Sequence, residues 1–172
     1  MKLNVWYKTT LFAYKYLETV AQSIDNLVEQ QALNSFYYTS TNSIDNSVQA
    51  VAERIINLSQ RKVRLINIKL ATEKALERCP RELAQLLIER YIDNERGEDI
   101  ALRHNFSFRT YFRRLGKAEE TFASLMTKKG YSEKRLCEDF SEDKWVNDIY
   151  QEFLTRKLRG EVLEDEYEEQ VC

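Results

Sequence analysis

The chain has 172 residues, a length that suits one domain or a small domain with a helical extension. Hydrophobic residues make up 43% and charged residues 31%, which supplies a core and excludes a disordered chain. The formal net charge of −2 excludes a generally basic nucleic-acid coat, so any DNA binding must be concentrated on one face.

Cys79, Cys137 and Cys172 show no CxxC spacing and His104 is the single histidine, which argues against a zinc site. An odd number of unclustered cysteines fits a reducing cytosol. The N-terminal residues lack the apolar segment of a signal peptide, and no run is long and apolar enough to span a membrane. A soluble, cytoplasmic protein with no membrane partner is expected. With 4 Gly and 1 Pro, little interrupts helices, and no segment shows strand periodicity. The expected fold class is all-α.

In chain order, a first helix is expected from about Val5 to Gln31. Leu17, Val20, Ala21, Ile24, Leu27 and Val28 give it one apolar stripe. The aromatics between Trp6 and Tyr16 lie on several faces and call for packing on both sides or against another chain. Asn34 to Asn42 read as a polar break, with Ser43 as the cap of the next helix. The string Ser23-Ile24-Asp25-Asn26 recurs at Ser43-Ile44-Asp45-Asn46, but no period continues and it is not a structural repeat.

From Ile44 to Arg78 there is neither Gly nor Pro. Ile44, Val48, Val51, Ile55 and Leu58 form a stripe that Val63, Ile66 and Leu70 continue with shifted phase. Such a helix is about 50 Å long and must pack against the first helix or a partner subunit. The basic stretch Arg61-Lys62-Val63-Arg64 reads as a solvated face before a DNA contact.

Cys79-Pro80 ends that helix, and Pro80 can open the next, which carries Leu83, Leu86, Leu87, Ile88 and Tyr91 and stops near Asp93-Asn94. Gly97 marks a connector. Glu98 to His104 form a small helix with Ile100 and Ala101 inward, Asn105-Phe106 the turn, and Ser107 the cap of a long helix. Gly130 ends that helix after Lys128 and Lys129. Ser132 caps a short helix to Cys137. Ser141 caps a last one in which Trp145, Ile149 and Phe153 are spaced by four. The acidic tail after Gly160 is expected to be frayed. The expected domains are a long-helix packing region over 1–78, a helix-turn-helix over 79–130, C-terminal helices over 131–160 and the tail over 161–172.

The helix from Ser107 is two-faced at 100° per residue. Tyr111, Leu115, Ala118, Phe122 and Leu125 share a narrow apolar face. Arg109, Arg113 and Lys117, spaced by four, form a basic ridge opposite, with Gly116 beside it and Thr110 at its edge. A recognition helix needs this division, with one face locked on scaffold helices and the other in the major groove. Arginine reads guanine by paired hydrogen bonds and lysine suits phosphates. Gly116 either admits a DNA backbone or is a neutral surface glycine. Arg114 clamps a phosphate or pairs with a nearby acid. Phe108 and Phe112 touch a thymine methyl or cover the helix edge. His104 reads as a helix-end residue, and no catalytic spacing of acid, base and nucleophile is present, so no enzyme and no cofactor are expected.

Residues 79 to 127 resemble the fourth conserved region of sigma factors. Cys79-Pro80 precedes Leu86-Leu87-Ile88-Glu89-Arg90-Tyr91. Asp99-Ile100-Ala101 matches an acidic residue, Ile and Ala. Ser107-Phe108-Arg109-Thr110-Tyr111 with Arg114-Leu115 matches Ser-x-x-Thr followed by an apolar residue and Arg-Leu, and Lys117-Ala118 stands where Arg-Ala is common. The string Arg109-Thr110-Tyr111-Phe112-Arg113-Arg114 resembles that of small ArpU-type phage and prophage regulators. No aromatic-basic promoter-melting segment occurs in residues 1 to 78. The resemblance implies a promoter-binding transcription regulator of phage or prophage origin, with double-stranded DNA and RNA polymerase as partners. The expected DNA-binding residues are Ser107, Arg109, Thr110, Arg113, Arg114 and Lys117. The long helices point to a homodimer. A phage DNA-packaging recognition subunit and a helical protein-interaction module without a DNA role stand as alternatives.

Overall fold

The structure, a computed structural model, describes residues 5–38 and 44–155, with side chains over 5–34 and 48–155. The described residues are helices and turns with no strand, the all-α fold the spacing predicts. Helix α1 is Val5–Tyr38 and α2 is Ile44–Arg78. Helix α3, Arg81–Leu87, runs straight into a π-helical turn, Ile88–Ile92. Then follow α4 (Gly97–Arg103), α5 (Phe108–Lys128), α6 (Glu133–Phe140) and α7 over residues 144–155. Pro80 is the N-cap of α3, not its first helical residue.

Helix α1 outruns its periodicity. Residues 34–38, expected within a polar break, are helical, because extending a helix already formed costs far less than starting one. The rest of that break, the Ser43 cap and the tail after Gly160 lie outside the described residues. Two compact units divide the chain, Met1–Tyr14 with Ala71–Cys172, and Lys15–Leu70. Their boundaries fall inside α1 and α2.

In the Lys15–Leu70 unit, Leu17, Ala21 and Ile24 of α1 are buried with Val28 half-buried, but Leu27 is exposed. On α2, Leu65 and Ile68 are buried, whereas Val63 and Leu70, expected in the buried stripe, are exposed. Lys62 Nζ pairs with Asp25 at 2.6 Å and Lys69 Nζ with Glu18 at 2.9 Å. As one index falls by seven the other rises by seven, so the two stretches are antiparallel. Such exposed pairs contribute about 0–1 kcal/mol each and fix register more than stability.

In the other unit the aromatic N-terminal turns pack on several faces, as their distribution predicts. Trp6 stacks on Tyr150 with ring centroids 4.3 Å apart, Tyr7 meets Phe122 edge-on at 6.3 Å, and Phe12 meets Phe153 at 5.5 Å. The first turns of α1 thereby pack on α5 and α7. Helix α6 continues past Cys137 because Phe140 is buried. The cap of α7 is displaced with it. Asp143 Oδ1 accepts the Val146 N–H at 3.2 Å, while Ser141 closes α6.

Two glycines should respond oppositely to alanine. Gly97, expected in a connector, is the first residue of α4, and a Cβ there would lie 2.8 Å from Cε1 of the buried Tyr111. Overpacking of this kind costs about 1–3 kcal/mol. A Cβ on Gly116 would meet nothing within 4 Å, so Gly116→Ala should gain up to about 1 kcal/mol of helix propensity. Urea denaturation of Gly97→Ala and Gly116→Ala checks both, and equal midpoints would refute the close approach at Gly97.

Candidate nucleic-acid interface

Helices α4 and α5 are joined by a turn over residues 104–107. Local chemistry sets its path. Asn105 takes a left-handed conformation, φ 53°, which asparagine tolerates better than most residues. The Phe106 N–H donates to the Ala101 carbonyl at 2.8 Å and the Asn105 N–H to that of Leu102 at 3.1 Å, the paired closure of a Schellman C-cap. Ser107 Oγ then accepts the Thr110 N–H at 3.2 Å and caps α5. Gly130, φ 85°, ends α5 with the same pairing, Tyr131 N–H to Met126 O and Gly130 N–H to Thr127 O. The result is a short helix, a tight turn and a long helix, the layout of a helix-turn-helix.

The inner face of α5 holds Tyr111, Leu115, Ala118 and Phe122, all buried. Its last member is Met126, fully buried, and not Leu125, which is half-buried. Arg109, Arg113 and Lys117 are exposed. Among the described residues none of the three has a side-chain ion pair or hydrogen bond to the rest of the chain.

The remaining expected site residues are differently occupied. Arg114 is committed inside the motif, its guanidinium 4.4 Å from the Phe106 ring centre and 3.5 Å from Glu82, so the nearby acid is its partner. Thr110 Oγ1 lies 2.9 Å from Ser107 Oγ, which binds both hydroxyls into the cap. Phe108 rests against Phe112, 4.7 Å between centroids, yet stays 47% exposed. His104 is the C-cap of α4, stacked on Phe106 at 5.3 Å.

Sequence reasoning missed the acids beneath the motif. The π turn carries Glu89 and Tyr91 to the buried side. Tyr91 donates its hydroxyl to buried Glu119 on α5. Burial first, and the Glu119 charge second, hold that phenol well above its ordinary range, so it stays the donor. Glu89 bonds His104 Nε2 at 2.9 Å and Gln85 at 3.0 Å, with Arg103 at 3.4 Å. Glu89 stands three residues past Leu86 and so on its face, but a carboxylate is seldom buried, and its partners His104 and Arg103 are distant in the sequence.

No family model, curated protein or solved structure matches the chain. Among the described residues no three His, Cys, Asp or Glu side chains are grouped to hold a metal ion, and no helix is long and apolar enough to cross a membrane.

The Glu89 cluster sets an acid dependence. Burial pushes the carboxyl up, but the hydrogen bonds with His104 and Gln85 and the Arg103 charge outweigh it, and the net shift is downward. A lowered folded pKa stabilises above the unfolded value, about 4.3 for Glu, and that contribution is lost as pH falls through the folded value. Glu89→Gln should therefore flatten the acid limb of the stability curve below about pH 4.3. An unchanged limb would show that Glu89 titrates alike in both states.

Proposed function

We propose that the chain is a sequence-specific DNA-binding transcription regulator, of phage or prophage type and acting in the cytoplasm, that reads the major groove with α5. The carrying observation is the exposed ridge of Arg109, Arg113 and Lys117, unpaired among the described residues and backed by a buried opposite face. Exposed cations on such a ridge can replace the counterions of a phosphate backbone, and a helix locked by its inner face presents them in fixed register. The resemblance of residues 79 to 127 to sigma region four supports a promoter site and contact with RNA polymerase. Ser107 and Thr110 act by fixing the first turn of α5, and Arg114 acts by bracing the turn at Phe106. Gly116, with open space around its Cα, leaves room for a close backbone.

Selection of bound duplexes from a random DNA pool tests this. A single enriched motif is the expected result, with affinity falling steeply as salt rises. Recovery of no motif, with salt-insensitive background binding, would overturn the reading.

A further inference from the structure

We propose that the Lys15–Leu70 hairpin is a dimer interface, with α2 of one chain lying antiparallel along α2 of a second copy. The inference is independent of the DNA reading. Its basis is an outward seam on α2: Ala52, Ile56, Ser59, Val63, Ile66 and Leu70, at steps of four, three, four, three, four. Ile56, Val63 and Leu70 are 54%, 57% and 43% exposed, and Ser59, Val63 and Ile66 of the seam line a groove of ≈ 470 Å³ with Ile24 and Val28 of α1, the Lys62–Asp25 pair at its edge. An alternation of four and three residues is the signature of a helix that accepts another helix, knob into hole.

The seam's order of sizes points to its own copy as the occupant. Running α2 antiparallel to itself sets Leu70 against the partner copy's small residue at 52, Val63 against its serine at 59, and Ile56 against its isoleucine at 66. Each pairing occurs twice, as a two-fold interface requires. Large meets small in two of the three layers, which lets the helices close up without voids. Charge agrees. The seam is uncharged, and its outer flank is Glu53, Gln60 and Asn67, so antiparallel copies oppose glutamate to asparagine and glutamine to glutamine; on the inner flank Lys62 faces its own copy, each charge offset by the pair with Asp25 in its own chain. The seam is about 27 Å long, and two helices side by side present about 20 Å of width. The ridged face therefore exposes area on the scale of the roughly 800 Å² per partner that stable interfaces bury. Two hairpins joined in this way make a four-helix bundle, which covers what a lone hairpin leaves wet.

Sedimentation equilibrium of the full chain without DNA tests the proposal. The expected mass is that of two 20.5 kDa chains. Val63→Glu should return the mass to one chain with helical circular dichroism unchanged, since Val63 is exposed in the single chain. Arg54→Glu, exposed and off the seam, should leave two chains. The double variant Ala52→Leu with Leu70→Ala, which exchanges large and small within one layer, should also leave two. A one-chain mass for the unaltered protein, or a two-chain mass for Val63→Glu, would overturn the interface. Loss of pairing in the double variant would overturn the antiparallel register.

Discussion

Arg109→Ala and Arg113→Ala should each lower affinity for a selected DNA site by roughly 1–3 kcal/mol, about 5- to 150-fold, while leaving folding stability within about 0.5 kcal/mol. The separation follows from the geometry. Both side chains are exposed and make no side-chain bond within the described residues, so truncation removes nothing that holds the fold. Each should also relax preference at one base position. Lys117→Ala should weaken all sequences alike and reduce the salt slope by about one. Arg114→Ala supplies the contrast. It breaks the Phe106 stack and the exposed pair with Glu82, each worth about 0.5–1 kcal/mol or less, so it should cost stability and spare base preference. Fluorescence anisotropy on the selected duplex, read beside urea denaturation, distinguishes these cases. Undiminished affinity in both Arg109→Ala and Arg113→Ala would end the proposal that this ridge reads DNA.

Phe122→Ala should destabilise the chain by roughly 3–5 kcal/mol, a large share of the 5–15 kcal/mol that ordinary domains possess. Phe122 is fully buried at the middle of α5's inner face. Its ring meets Tyr7 edge-on, and the Tyr7 hydroxyl in turn lies 3.0 Å from Thr127 Oγ1. Removing the ring opens a cavity between α5 and the first turns of α1 and loses the aromatic pair, worth about 0.5–1.5 kcal/mol beyond its area. Phe122→Leu, which keeps most of the volume, should cost distinctly less. Urea midpoints of the two variants check this, and a loss below about 1.5 kcal/mol for Phe122→Ala would show that the inner face is not closely packed.

The two readings meet in α5. Its inner face carries the energy of folding and its outer face carries almost none, so the outer residues are free to be chosen for binding. Stability lost at Phe122 and affinity lost at Arg113 should therefore be separable in one helix, since distant effects add nearly independently.

The sequence by itself determined the helical class, the turn after α4, the caps at Ser107 and Ser132, the stop at Gly130 and the two faces of α5. Each of these is a local matter. A cap is settled by a few neighbouring residues, and over the three turns from Tyr111 to Phe122 a spacing of 100° per residue cannot drift far. Only the tertiary structure decided the rest: that α2 buries Leu65 and Ile68 while Val63 and Leu70 stay exposed, that Met126 closes the inner face of α5, that Arg114 turns to Phe106 and Glu82, and that Asp143 caps α7. Along a long helix several stripes are apolar enough to be buried, and phase errors accumulate. Which stripe is chosen depends on the helix that comes to lie against it, and that partner is distant in the sequence. The acids Glu89 and Glu119 were hidden for the same reason. Both are buried against the hydroxyl, imidazole and guanidinium groups that meet them there, and no local pattern records such a meeting.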